Sequence, residues 1–420
     1  MASLLFQSLK PYKPIFPGTP KTLTQTLVCK ADTPTTSNNS TGKPRSRNPR
    51  KRSSYGTSRR SVLKKSFAQE QVNFTSPVPD DPVVAIIGGG VSGLVCALNL
   101  ERRGVRSTVF DTGMHGLGGR MGTRIIDPQP LVFDHAAQFF TSHLVNVVRP
   151  CWISRLDPFN GMWHLSENGK PQGGFDAIVI AHNGKCANRL LSSSGLPLLM
   201  KQMKSLELSS IWALLAAFEK PLIVPPRENF NPFEGAFVKG VDSISWMANN
   251  TKKLRSQSDE PKCWTFFSTA AYGKQNKVPQ ENIPNVTAEK VKRDMLEGVE
   301  VALGLSRGSL EQPIYTRVQL WGAALPTNTP NIPCIFDPYG RAGICGDWLL
   351  GSSVEAAALS GMALADHIAD YFESGGARPD EFAIGLNDAF QPIKGHDIGQ
   401  FPGLKSKEQV TETETCSTYA

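Results

Sequence analysis

Several kinds of chemistry are missing from this 420-residue chain. Its eight cysteines, at 29, 96, 151, 186, 263, 334, 345 and 416, form no C-x-x-C pair and no ligand spacing with histidine. That excludes the common zinc patterns and argues against a disulfide framework. It predicts buried thiols in a reduced compartment and no metal. No apolar run reads as a membrane span; the nearest, Val83 to Leu100, is broken by four glycines. No Ser-His-Asp arrangement stands out, so nucleophilic hydrolysis has no visible machinery. Residues 1–69 lack acid, with Asp32 alone against fourteen lysines and arginines.

That imbalance accounts for the net charge of +8; the remainder of the chain is near neutral to slightly acidic. The basic balance therefore says nothing about a substrate. The first 70 residues begin Met1-Ala2-Ser3-Leu4-Leu5 and are rich in Ser, Thr and Pro. They read as an organellar transit peptide of plastid type, which predicts a chloroplast stromal protein, with a mitochondrial address as the alternative. The run from Arg45 to Arg60 also admits a nucleic-acid or nuclear-targeting reading. Only Tyr55 interleaves with its charges, which argues against base stacking, and no nucleic-acid partner is predicted.

Residues 83–124 carry the strongest signal. Val83-Val84-Ala85-Ile86-Ile87 is an apolar run that breaks into Gly88-Gly89-Gly90-Val91-Ser92-Gly93, followed by Leu94, Val95 and Leu98 at helical spacing. This predicts a strand, a tight turn and a helix. Gly88, Gly90 and Gly93 fit G-x-G-x-x-G: one for the turn, one for close approach of a pyrophosphate, one for helix–strand packing. The helix N-terminus would add free N–H groups and partial positive charge. Asp111 ends a second apolar run, where an acid accepts ribose hydroxyls and repels the extra phosphate of NADP. The residues predict a dinucleotide site for NAD or FAD.

Two further segments bear on which. Gly116 to Arg124 contains Gly118-Gly119-Arg120 and Thr123, a G-G-R-x-x-T element that resembles the flavin amine oxidase superfamily. Gly343-Ile344-Cys345-Gly346-Asp347-Trp348 ends an apolar run, and Ser352-Ser353-Val354-Glu355 has capping-box spacing for a helix after it. The resemblance implies FAD as cofactor, Arg120 on the diphosphate, Asp347 on the ribityl chain and the following helix aimed at the flavin. Within that superfamily, Val132 to Phe140, Phe175 to Ala181 and Gln319 to Pro326 are similar to segments of renalase-like flavoproteins, although Ala136 stands where those have glycine. The resemblance covers about 83–140 and 145–372.

The expected fold is α/β: a Rossmann-like FAD-binding domain with a smaller, truncated α+β substrate domain. The boundaries predicted are 1–70 for the transit peptide, 78–194 and 331–372 for the FAD-binding domain, 195–330 for the substrate or cap domain, and 376–420 for a flexible tail. Val147 to Leu165 reads as two strands around Asn160-Gly161, and relatives set an apolar residue there, Ile153, against the adenine. Phe175–Ala181, Ile211–Phe218 and Trp264–Thr269 read as strands. Helices are predicted from about Cys186 to Leu191 and over Thr287–Leu303.

One departure from the family stands out. Relatives carry a long segment between the Phe-Asp-x-Gly-Ala-Gln element and the adenine-side strand. Here Phe140 runs almost directly into Val145, as an internal deletion would leave it. Apolar surface that segment covers is then expected to be exposed, at roughly 25 cal/mol per Å² left in water.

By resemblance the activity is an FAD-dependent oxidation of a small amine or a reduced nicotinamide-type ring, with dioxygen as acceptor. The alternatives are a truncated isoform with impaired FAD binding and no activity, a desaturase- or porphyrinogen-oxidase-like flavoprotein, and a nicotinamide-only dehydrogenase. Hydride transfer needs positioning more than acid–base groups, so no catalytic residue is assigned. Trp321 and Trp348 are the flavin-facing candidates, each equally readable as core. His135, Lys185, Arg124, Phe139 and Phe140 each have a structural reading beside a functional one. Oligomeric state is not predicted.

Overall fold

The computed structural model describes residues 69–113, 117–127, 131–134, 146–222, 234–254, 261–280 and 282–393. All of them belong to one unit, Thr57–Ala420. The transit-peptide prediction, His135, Phe139 and Phe140 lie outside the described residues.

The first strand, β1 (Val83–Ile87), is followed by helix α1 (Val91–Arg102) and β2 (Arg106–Phe110). A hairpin of β3 (Thr123–Ile126) and β4 (Leu131–Asp134) comes next, then β5 (Asn146–Val148). Three antiparallel strands follow: β6 (Arg155–Phe159), β7 (Met162–Glu167) and β8 (Lys170–Phe175). Asn160 and Gly161 join β6 to β7 with φ of +52° and +78°, the conformation a two-residue hairpin turn needs. Strand β9 (Ala177–Ile180) leads into α2 (Gly184–Leu191) and α3 (Pro197–Ser205).

A second block contains β10 (Leu208–Phe218), β11 (Gly235–Phe237), β12 (Trp246–Asn249), α4 (Asn250–Leu254) and β13 (Lys262–Phe267). It continues through α5 (Ala270–Gln275), α6 (Asn285–Leu303) and β14 (Tyr315–Pro326). The chain then returns through β15 (Asn328–Thr329), β16 (Ile335–Asp337), β17 (Ala342–Ile344) and α7 (Val354–Glu373), and ends in α8 (Pro379–Phe382) and β18 (Gln391–Pro392).

Two sheets organise these elements. The first has the order β16-β17-β9-β1-β2-β5, parallel except for β16. Its central strands are buried on both faces, which is why they read as continuous apolar runs. Helix α7 lies against α1 so closely that a Cβ on Gly361 would sit 2.3 Å from the Ser92 carbonyl oxygen. The second sheet is antiparallel, in the order β11-β12-β13-β10-β14. Alternate residues divide its faces. Trp212, Leu214, Ala216 and Phe266 share a core with Val291, Met295 and Val299 of α6, while Leu215, Ala217 and Cys263 pack with Leu131 and Phe133 of the β3–β4 hairpin.

The tail prediction needs correction. Residues 376–393 fold onto the domain: Phe336 and Ile384 exchange backbone hydrogen bonds, Phe390 stacks on Trp348, and β18 pairs with β15. Their short, polar sequence hides this, because the partners are distant in the chain, as Gln202, which donates to the Asp388 carbonyl, is by 186 residues. The leader is also engaged: Phe74 meets the ring of Trp163 edge-on and Val72 donates to the Gly195 carbonyl. Ile125 on β3 and Val354, Leu359 and Met362 on the first half of α7 are exposed, between 41% and 61%. The six described cysteines are free thiols, five of them buried.

Candidate dinucleotide site

The glycines after β1 have separate steric duties. Gly88 has φ +121°, and a Cβ there would meet the Ala181 carbonyl oxygen at 2.8 Å. A Cβ on Gly93 would lie 2.1 Å from the Gly88 carbonyl oxygen, so α1 can start where it does only without one. At Gly90, in contrast, an added Cβ meets nothing within 4 Å. The space there is open, at the N-terminus of a helix that no side chain caps. Backbone N–H groups at such an end have no intrahelical acceptor. A cradle of this kind fits a pyrophosphate.

Asp111 follows β2, and its carboxylate accepts from Gly89 N at 2.8 Å and Gly113 N at 2.7 Å. Each oxygen keeps a lone pair, so ribose hydroxyls remain within its capacity. The Gly118–Gly119 loop docks against the turn: Gly118 N donates to the Gly89 carbonyl at 2.8 Å, and a Cβ on Gly119 would stand 3.9 Å from Gly90 Cα. The positive φ of both residues, +107° and +57°, allows that approach.

Arg120 then joins segments far apart in the chain. Its Nη2 donates to Asp347 Oδ1 at 2.6 Å and its Nη1 to the Ala324 carbonyl at 2.6 Å. Asp347 is 7% exposed and also accepts from Ser352 Oγ at 3.4 Å. The expected diphosphate ligand is thus committed to the expected ribityl ligand, and through Ala324 to the antiparallel sheet. Gly346 is extended, its N–H donates to Ser360 Oγ at 2.9 Å, and its Cα packs under the Trp348 indole.

Other expectations meet different outcomes. The cap of α7 is Ser353, whose hydroxyl accepts from Ala356 N at 3.0 Å. The Ser352/Glu355 pairing that the spacing suggested does not form, because Ser352 turns back to Asp347 and Glu355 is exposed. Ile153 is 5% exposed in the core with Phe110, Leu156 and Trp163, outside any strand. Trp348 is buried in the same core and stacks on Phe390 at 6.1 Å. Trp321 is half-buried on β14, opposite Ile211. Neither indole is placed over the glycine turn by any contact among the described residues. Lys185 is exposed in the first turn of α2. Arg124 has no carboxylate partner among the described residues, and burial together with nearby Arg317 lowers its pKa.

His182 was legible only as part of a turn. It directly follows Ala181 beside the Gly88 turn, and its Nδ1 lies 3.0 Å from the Ile87 carbonyl oxygen. Burial lowers its pKa, opposed by that carbonyl and by the charge of Asp111. The only sequence signal is a polar residue ending an otherwise apolar strand.

The class this geometry defines is an α/β protein with a Rossmann-like dinucleotide-binding sheet and a second, antiparallel sheet fastened to it. Comparison with known proteins agrees. The NAD(P)-binding Rossmann-like domain family matches residues 86–149. Tryptophan 2-monooxygenase of Pantoea agglomerans pv. gypsophilae is 38% identical over 66 residues, which is 16% of this chain and only 12% of that enzyme's length. A reduced UDP-galactopyranose mutase superposes with a TM-score of 0.50 at 8% identity, covering 72% of this chain and 97% of its own. Cyclohexylamine oxidase from Brevibacterium oxydans IH-35A gives 0.47 at 11% identity, over 70% and 100% of the two chains. The chain carries an NAD(P)-binding Rossmann-like domain within a mixed α/β fold.

Proposed function

We propose that this protein is an FAD-dependent oxidoreductase of the renalase-like, amine-oxidase type, acting on a small amine or a reduced nicotinamide-type ring with dioxygen as acceptor. The observation that carries the reading is the Arg120–Asp347 contact, with the Gly89–Gly118 hydrogen bond beside it. Together they bring three motifs, 230 or more residues from first to last, to one place. A nicotinamide-only Rossmann protein needs the first motif alone. Similarity to a tryptophan monooxygenase over 66 residues supports the same direction.

The glycine turn and the α1 N-terminus would hold the pyrophosphate, Asp111 the adenosine ribose, and Asp347 the ribityl chain. A bound flavin supplies a hydride acceptor. Arg120 aims the Asp347 carboxylate, and its bond to Ala324 ties the antiparallel sheet to the cofactor side. Positioning and exclusion of water, rather than proton transfer, are what these residues contribute. The plastid address from residues 1–70 is part of the same proposal.

The exposed apolar residues on α7 favour one rival, a shortened isoform that has lost its flavin. Purified full chain, freed of loose flavin, would be examined by visible spectroscopy and by FAD release on denaturation. Stoichiometric FAD is the expected result. Colourless, folded protein overturns the enzyme reading for this chain, and colourless protein that binds NADH tightly makes it a nicotinamide protein.

A further inference from the structure

Where the β3–β4 hairpin meets β14, the pairing of the strands brings two arginines to one seam. On the hairpin Arg124 stands directly opposite Phe133, and residues paired in this way share a face. Phe133 is wholly buried in a core with Leu215, Ala217 and Cys263, so that face is turned to the antiparallel sheet. On β14, Tyr315 pairs with Ala217 and Arg317 with Leu215, which puts both on the side that the hairpin covers. The Tyr315 ring stacks on Phe133 with 5.7 Å between centroids and completes the apolar part of the contact. Arg124 and Arg317 flank it at the margin of the sheet, where β14 is the last strand.

This cluster stands out by what it lacks. Neither guanidinium and not the Tyr315 hydroxyl has a hydrogen-bond or ion-pair partner among the described residues. Arg317 is exposed, while Arg124 and Tyr315 are half-buried with no nitrogen of Arg124, nor Tyr315 Oη, sealed from solvent. These donors are therefore open to a ligand. Burial and the charge of Arg317 lower the Arg124 pKa, and no carboxylate opposes them. Other partly buried cations of the chain are paired: Arg120 with Asp347, Lys253 with Asp134, and Arg103 with three carboxylates.

Two like charges at one seam disfavour each other, and an anion between them removes the penalty. Guanidinium forks match the oxygens of a carboxylate or a phosphate, and the phenol supplies one more donor. We propose that Arg124, Arg317 and Tyr315 form a binding site for the carboxylate or phosphate group of a small molecule. The proposal does not rest on the flavin reading, because no residue assigned to the dinucleotide takes part.

Titration calorimetry on the full chain with phenyl phosphate and with benzoate tests it, with benzyl alcohol as the uncharged control. At least one of the two anions should bind tenfold or more tighter than the alcohol, and the tighter one identifies the oxyanion. Arg317→Glu, at an exposed position, should abolish that binding with unchanged circular dichroism. Arg124→Gln should weaken it about tenfold, and Arg124→Lys should recover part of the loss. No binding of either anion at millimolar concentration to folded protein overturns the proposal. So does binding that survives both Arg317→Glu and Arg124→Gln, which the glycine turn would then account for. Benzyl alcohol bound as tightly as the anions overturns it as well.

Discussion

At the mouth of the parallel sheet, backbone groups face open space, while the antiparallel sheet turns comparable groups inward and ties them off. Gly90 has nothing within 4 Å of where a Cβ would be, and the helix it precedes is left uncapped. At the far end of α6, Glu300 is 6% exposed and accepts from Gly308 N and Leu310 N, both at 2.9 Å, closing the loop after that helix. Both arrangements concern N–H groups near a helix end. One is completed by the chain, and the other is left for something the chain does not supply.

The largest effect should come from adding one methyl group on either side of that distinction. Gly93→Ala places a Cβ against backbone, and should cost about 3 kcal/mol or prevent folding. Gly90→Ala enters open space and should cost under about 1 kcal/mol of apoprotein stability, while lowering dinucleotide affinity by about tenfold or more. Denaturant melts paired with cofactor titration separate the two. Equal losses of stability in both variants would remove the contrast.

Next in size is the bond between the regions. Arg120→Gln leaves the nearly buried Asp347 carboxylate unpaired, at a cost of about 2 kcal/mol, discounted because the Arg120 side chain is 37% exposed. A double-mutant cycle with Asp347→Asn should show coupling, and additive effects would mean the two do not act as a unit. Glu300→Gln should cost about 1.5 kcal/mol. The bonded N–H groups lower the Glu300 pKa, so its contribution is complete above the unfolded value and is lost as pH falls through the folded one. Urea midpoints of wild type and variant should converge in acid.

His182 should give the smallest change. Burial holds its pKa below the ordinary value. The unfolded chain then takes up a proton first, and stability declines as pH drops below about 6.5. His182→Asn should flatten the Tm profile from there downward. An unchanged slope would mean that His182 does not titrate on unfolding.

Much of the parallel sheet and its turn was legible because the evidence is local. Val83–Ile87 alternates with nothing polar, the Asn160-Gly161 turn needs positive φ, and Thr287–Leu303 has a helical period; each lies within one element. The expectations that failed were those decided by distant partners. Ser353 caps α7 because Asp347 draws Ser352 away. Residues 376–393 are ordered by Phe336 and Trp348. Nothing in the order of residues announces that Asn250 would be left with an unmet carbonyl.

By itself, then, the sequence determined the strand–turn–helix unit, the positions that must be glycine and the kind of cofactor-binding half the chain contains, because those follow from backbone sterics and hydrophobic period over a few residues. Only the tertiary structure decided that Arg120 pairs with Asp347 and Ala324, and that Asp134, Asn250 and Thr265 enclose a polar cavity beside two aromatic rings. Arg120 lies 204 and 227 positions from its two partners, and Asp134 lies 131 from Thr265. Hydrogen bonds have short reach, so their partners are set by which strands the sheet places side by side.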